Sequence, residues 1–97
     1  MTLNEYSETC HKIAFEKGWW DHRREVPELL CLVHSEVSEA LEAYRKADSE
    51  NFVEELADIL IRVFDMAGRF RLDLDKAVKD KIEKNKMRPY RHGGKQA

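Results

Sequence analysis

The fold is decided by residues 35–69, which read SEVSEALEAYRKADSENFVEELADILIRVFDMAGR. This stretch contains two pairs of carboxylates, and the members of each pair are three positions apart: Glu36 with Glu39, and Glu55 with Asp58. Residues three apart on a helix point the same way, with Cβ atoms about 5–6 Å from each other. Two such pairs on facing helices would surround one point with oxygen ligands, which is the environment that hard cations such as Mg²⁺ prefer.

The composition is that of a single helical domain. The chain has 97 residues, of which 42% are hydrophobic and 37% are charged, as in helical proteins with polar outer faces. A net charge of −2 provides no general basic field, and no apolar run reaches membrane-spanning length, so we expect neither a nucleic-acid nor a membrane partner. Cys10 and Cys31 lack the spacing of metal or redox motifs, which favours reduced thiols and a cytoplasmic location.

Apolar periodicity predicts four helices, and no segment alternates for long enough to predict a strand. Gly18 and Pro89 are expected to end the first and fourth helices, while Asp48 or Ser49 and then Asp73 can cap the third and fourth. The expected helical ranges are approximately 3–17, 27–46, 49–71 and 74–88. The fold class predicted is therefore all-α.

Two features of these helices predict contacts beyond a simple amphipathic bundle. Glu36 lies between apolar residues on the second helix, where a buried charge needs a partner. The third helix is apolar around most of its circumference, so protein must surround it on most sides. Because a chain of this length offers few neighbours, we expect homo-oligomerisation to complete the helical bundle.

The carboxylates favour magnesium over a di-iron centre. Di-iron bundles use a histidine three positions after a glutamate, and between residues 36 and 58 no histidine occupies that position. Ligation by oxygen alone is typical of Mg²⁺ or Mn²⁺. Alternatively, Glu55 and Asp58 could belong to a solvated strip, with Arg62 as the ion-pair partner of Asp58.

The fourth helix carries donors suited to phosphate. Its apolar face, which begins at Leu74 and Val78, continues as a group of polar residues, so we expect these donors to point toward the same interior edge as the carboxylates. A basic helix end that merely complements the helix dipole is the alternative. The predicted phosphate-binding residues are Lys81, Lys84, Asn85 and Arg88.

Two tryptophans occupy the connector between the first two helices. We expect one indole to fill a gap between helices and the other to stack on a nucleobase. The candidate base-binding residues are Trp20, Asp21 and His22.

These motifs together resemble those of a known family, the MazG-like all-α nucleoside triphosphate pyrophosphohydrolases. The family signature, ExxE followed by ExxD, is similar to Glu36-Val37-Ser38-Glu39 and Glu55-Leu56-Ala57-Asp58. The surrounding segments SEVSEALEAYRK, VEELADILIRVFDMAG and KIEKNKMRPYRHGGK also look like the family. The resemblance extends from about Trp19 to Lys95, so we expect residues 1–97 to form one MazG-like domain.

The resemblance implies hydrolysis of (deoxy)nucleoside triphosphates to the monophosphate and pyrophosphate, a reaction suited to house-cleaning of the nucleotide pool. It further implies a homodimer or homotetramer and a Mg²⁺ ion, replaceable by Mn²⁺, held by the four carboxylates, with Glu36 or Glu39 orienting the attacking water. Two alternatives remain open: an enzyme like phosphoribosyl-ATP pyrophosphohydrolase, and a non-catalytic helical dimerisation module.

Overall fold

The computed structural model describes residues 1–90, and this part of the chain contains helices and no strand. Each predicted helix is present, and its ends lie within two positions of the predicted ones. The all-α fold is therefore confirmed. The helices are α1 (Leu3–Glu16), α2 (Val26–Arg45), α3 (Ser49–Arg69) and α4 (Leu74–Lys86).

Local signals explain where the helices begin and end. Asp48 and Asp73 cap α3 and α4, each accepting a hydrogen bond from a backbone N–H in the first turn. Gly18 ends α1 with φ +86°, in the left-handed region that glycine adopts without a steric penalty. Ala47 has φ 56° just after α2, and the turn there lets α2 and α3 pack against each other as an antiparallel hairpin.

Helix α3 lies at the centre of the fold, packed against α1 on one side and α2 on the other. The crossing of α1 and α3 is close because Gly68 has no side chain. A Cβ atom at Gly68 would lie 2.4 Å from the backbone oxygen of Ser7 and 2.7 Å from Cβ of His11. The glycine thereby allows α1 to pack directly on the α3 backbone.

The N-termini of α1 and α4 are joined by reciprocal capping. The side-chain oxygen of Asn4 accepts a hydrogen bond from the backbone N–H of Leu74 at 2.9 Å. In return, Asp75 accepts one from the backbone N–H of Leu3, also at 2.9 Å. Helix α4 packs chiefly on α1, so these caps fix where it starts.

One chain buries little apolar surface. The apolar side chains that are buried among residues 1–90 are Trp20, Leu29 and three alanines, and none of the described large side chains is fully buried. The Cα radius of gyration is 15.8 Å, whereas a compact domain of this length would have about 12.5 Å. None of the described helices has the length and apolarity needed to span a bilayer.

Candidate metal centre

The hairpin brings three of the four predicted carboxylates together. Glu36 and Glu39 on α2 and Glu55 on α3 each offer one oxygen atom, and these three atoms lie within 4.8 Å of one another. Glu36 is buried, Glu55 is half-buried and Glu39 is exposed. The cluster therefore opens to solvent on the Glu39 side and is closed by protein on the Glu36 side.

Glu55 carries the clearest electrostatic signal in this cluster. Its Oε2 atom is buried and has no hydrogen-bond partner among the described residues. The pKa of Glu55 is raised from 4.5 to about 7, first by removal from water, then by a hydrogen bond to Glu39 and by the charges of Glu39, Asp58 and Glu36. A buried unpaired carboxylate oxygen is unfavourable, and a bound cation would supply the missing partner.

Asp58 lies beside the three-carboxylate cluster. Its charge acts on Glu55, and its side chain lines the same cavity as Glu36. Its carboxylate oxygens are not among the three oxygen atoms that lie within 4.8 Å of one another. All four predicted metal ligands therefore lie close to one another, and Asp58 lies on the side that faces the cavity.

Arg62 is the protein partner of the buried Glu36. Oε1 of Glu36 accepts from Nη2 of Arg62 at 3.3 Å and from Nε at 3.4 Å. The alternative that paired Arg62 with Asp58 is therefore wrong, because the guanidinium crosses the hairpin to α2. Only Oε1 of Glu36 is used in these contacts, so Oε2 remains for a cation. The guanidinium also explains how a carboxylate with only 8% exposure is tolerated there.

A cavity of about 360 Å³ adjoins the cluster between α1 and α3, and Glu36, Asp58 and Arg62 are among the residues that line it. Trp19 forms part of its wall with an exposed indole, and the Cζ atoms of Arg62 and Arg24 lie 5.7 and 5.9 Å from the ring centre. An aromatic face next to two guanidinium groups suits a planar, anionic ligand.

The base-binding assignment of Trp20 needs correction. Its indole is only 7% exposed, and its Nε1–H donates to Asp65 at 2.9 Å, so Trp20 is the indole that fills the gap between helices. Asp21 and His22 are exposed and do not line the cavity. The accessible indole belongs to Trp19, which sequence reasoning did not select.

Asp65 is a second residue that the sequence analysis did not single out. Besides the Trp20 indole, its carboxylate contacts Nδ1 of His11 at 2.9 Å, and it lines the cavity. Glu8 and His11 on α1 have the Glu-x-x-His spacing that is typical of di-iron sites. The imidazole of His11, however, contacts Asp65 and lies outside the carboxylate cluster. The network of His11, Asp65 and Trp20 fixes the wall of the cavity.

In the part of the chain that the structure describes, three of the predicted phosphate-binding residues, Lys81, Lys84 and Asn85, make no bond to the carboxylates. Among residues 1–90, no hydrogen bond or ion pair joins Leu74–Lys86 to α2 or α3. The side chains of Lys81, Lys84 and Asn85 are exposed, and Arg88 is half-buried. The Arg91–Lys95 part of the basic segment lies outside the described residues.

Comparison with known proteins supports the interpretation of the motifs. The model of the MazG-like family matches residues 25–96, a range that includes the hairpin, the four carboxylates and α4. No curated protein and no solved structure gives a significant match. Since the match covers most of the chain, the protein belongs to the MazG-like family.

Proposed function

We propose that the protein is a Mg²⁺-dependent pyrophosphohydrolase that converts (deoxy)nucleoside triphosphates to the monophosphate and pyrophosphate. Membership of the MazG-like family indicates activity of the nucleotide-pyrophosphatase type. The observation that carries the proposal is the convergence of Glu36, Glu39 and Glu55, with a buried oxygen of Glu55 that lacks a partner. Such a cluster is unfavourable by itself and becomes favourable around a cation.

The residues fit magnesium. The donor set consists of carboxylates alone, which Mg²⁺ and Mn²⁺ prefer, and the orphaned oxygen of Glu55 is one of the ligands expected. Glu36, Glu39, Glu55 and Asp58 would hold the ion. When bound, Mg²⁺ would neutralise phosphate charge and polarise the phosphoanhydride toward attack.

Side chains of the protein would position the attacking water and accept its proton. Glu39 is exposed at the open side of the cluster, so its carboxylate can orient a water molecule and accept its proton. Glu36 is buried and held by Arg62, which suits it to a fixed ligand position. This difference in exposure favours Glu39 over Glu36 as the residue that positions the nucleophile.

The cavity beside the cluster would accept the nucleoside part of the substrate. Trp19 offers an aromatic face, and Arg24 and Arg62 lie close to it. Because Glu36 and Asp58 line this cavity as well, a base stacked on Trp19 would place its phosphates toward the carboxylates. Stacking on an aromatic side chain is worth about 1–3 kcal/mol per base.

The test is product analysis over a panel of substrates. The purified chain with Mg²⁺ is incubated separately with each ribo- and deoxyribonucleoside triphosphate and with phosphoribosyl-ATP, and the products are separated by anion-exchange chromatography. We expect monophosphate and pyrophosphate from at least one nucleoside triphosphate. Turnover of phosphoribosyl-ATP alone would favour the histidine-pathway alternative, and no turnover of any substrate would favour a dimerisation module.

A further inference from the structure

The cavity beside the carboxylate cluster follows one face of α3. Asp58, Arg62 and Asp65 all line it, and their spacing of four and three positions puts them on the same side of the helix. Asp58 lies beside the cluster, whereas Asp65 lies seven residues further along α3, which corresponds to about 10 Å at 1.5 Å per residue. Asp65 therefore lies at the end of the cavity that is distant from the proposed metal site.

The carboxylate of Asp65 is held in place by two nitrogen atoms. Nε1 of Trp20 donates to its Oδ1 at 2.9 Å and to its Oδ2 at 3.2 Å, and Nδ1 of His11 contacts Oδ1 at 2.9 Å. Because an ionised carboxylate can only accept hydrogen bonds, Nδ1 carries the proton of that contact. Both donors bind chiefly to Oδ1, so Oδ2 keeps the capacity to accept a further hydrogen bond.

Part of the Asp65 side chain is accessible from the cavity. The side chain keeps 14% of its accessible surface and belongs to the cavity wall. Among residues 1–90, no lysine or arginine forms an ion pair with it. Burial and then the charge of Asp65 raise the pKa of the Cys10 thiol in the same wall, so this charge acts inside the cavity. A fixed anionic acceptor is therefore available to a ligand.

The proposed stacking residue belongs to the same part of the cavity. Trp20, which contacts Asp65, directly follows Trp19 in the chain, and both Trp19 and Asp65 line the cavity. A nucleotide whose phosphates bind at the carboxylate cluster and whose base stacks on Trp19 extends along this wall. The edge of the base then faces the side of α3 that contains Asp65.

An acceptor at this position distinguishes bases by their hydrogen-bond donors. Adenine, cytosine and guanine each present an exocyclic amino group, and aspartate is a typical acceptor for the amino group of cytosine. Uracil and thymine have no amino group, and their single ring N–H lies between two carbonyl oxygens. A contact with that N–H brings a carbonyl oxygen against the carboxylate, where two acceptors repel each other.

We propose that Asp65 determines base specificity and restricts the substrates to nucleoside triphosphates with an amino-bearing base. Its carboxylate accepts a hydrogen bond from the amino group of adenine, cytosine or guanine, while Trp20 and His11 keep it in position. This inference rests on the proposed function and deepens it by naming the substrate class. It also gives the network of His11, Asp65 and Trp20 a role beyond packing, because a fixed acceptor discriminates better than a mobile one.

Paired substrates that differ in one group test the proposal. In UTP and ITP, a carbonyl oxygen replaces the amino group of CTP and ATP, so each pair isolates the contact. With Mg²⁺, the wild-type protein should prefer the amino-bearing member of each pair by about 10- to 100-fold in kcat/KM, the effect of one hydrogen bond to a charged group. The difference should appear in KM, because the base is remote from the reacting phosphorus. Equal kcat/KM within either pair would overturn the proposal.

The Asp65→Asn variant separates base recognition from a purely structural role. Its amide can donate as well as accept, so the ratio of kcat/KM for CTP to that for UTP should fall toward one. If Asp65 only anchored Trp20 and His11, both substrates would lose activity in the same proportion, and an unchanged ratio would overturn the proposal. The ratio does not depend on the fraction of folded protein. Asp80→Asn, which changes an exposed aspartate of α4, is the matched control and should keep the wild-type ratio.

Binding without turnover distinguishes failure of this proposal from failure of the proposed function. CMP and UMP are titrated into the wild-type protein with Mg²⁺, and quenching of tryptophan fluorescence is recorded, since the exposed indole of Trp19 lines the cavity. CMP should bind about 10- to 100-fold more tightly than UMP. Tighter binding of CMP by a protein that hydrolyses no triphosphate would contradict the proposed function alone. Equal binding of the two nucleotides, or binding of neither, would overturn the assignment of Asp65.

Discussion

Glu55 should make Mg²⁺ binding at the proposed site dependent on pH. Its pKa is raised from 4.5 to about 7 by desolvation and by the neighbouring carboxylates, so near neutrality the side chain is partly protonated. A carboxylate must be ionised to bind Mg²⁺, and binding to the protonated site therefore releases a proton.

The size of the effect follows from that pKa. With a value of about 7, about one tenth of Glu55 is ionised at pH 6 and about nine tenths at pH 8. The apparent association constant for Mg²⁺ should consequently rise about tenfold between pH 6 and pH 8. At pH 7, about half a proton should be released for each ion bound.

Isothermal titration calorimetry measures both quantities. Titration of Mg²⁺ in two buffers with different ionisation enthalpies gives the number of protons released, and repetition at the three pH values gives the affinity. The Glu55→Gln variant should bind Mg²⁺ weakly and without proton release near pH 7. If the wild-type affinity were the same at pH 6 and pH 8, Glu55 would not be a ligand with a raised pKa.

Three further predictions concern stability and substrate binding. The contribution of Glu55 to the free energy of unfolding should be most favourable below pH 4.5 and should fall as the pH rises through about 7, because the folded state holds the proton more tightly. Denaturant titrations at several pH values measure the free energy of unfolding. Its dependence on pH should differ between the metal-free protein and Glu55→Gln. Gly68→Ala should destabilise the fold by about 1–3 kcal/mol, since its Cβ would meet the Ser7 backbone at 2.4 Å, and an unchanged melting temperature would contradict the close crossing. Trp19→Ala should raise KM with little change in thermal stability, whereas Trp20→Ala should lower the melting temperature by removing a buried indole bonded to Asp65.

Helix boundaries and the burial of Glu36 could be predicted from sequence because their signals are local. The caps Asp48 and Asp73, and the stop at Gly18, act within four residues of the positions they control. The apolar neighbours that indicate burial of Glu36 lie within two turns of the same helix. Such patterns need no knowledge of how the helices pack.

Contacts between helices were harder to predict. Trp20 is buried and contacts Asp65, 45 positions away, whereas Trp19 is exposed. Two adjacent tryptophans give no local sign of this difference. The pairing of Arg62 with Glu36 had a usable signal. In an antiparallel hairpin that turns at Ala47, residues at similar distances from the turn face each other, which places Asp58 opposite Glu36. Arg62 lies one helical turn further along α3, and its long side chain reaches back to Glu36.

The position of α4 shows a different limit of the sequence analysis. Periodicity placed Lys81 and Asn85 on the same face as Leu74 and Val78, and this face was expected to meet the carboxylates. The reciprocal caps made by Asn4 and Asp75 instead fix the start of α4 beside α1. Periodicity identifies which residues share a face, but it contains no information about which chain that face contacts.

The central claim is that the carboxylate cluster performs the hydrolysis, and a matched pair of variants tests it most directly. Glu55→Gln removes an oxygen that converges on the cluster, while Glu54→Gln removes an exposed carboxylate from the adjacent position of α3. Pyrophosphate release at limiting Mg²⁺ is measured for both variants, with circular dichroism confirming that each is helical. We predict that Glu55→Gln loses about two orders of magnitude in kcat/KM and that Glu54→Gln retains the wild-type value. Equal activity of the two variants would contradict the account.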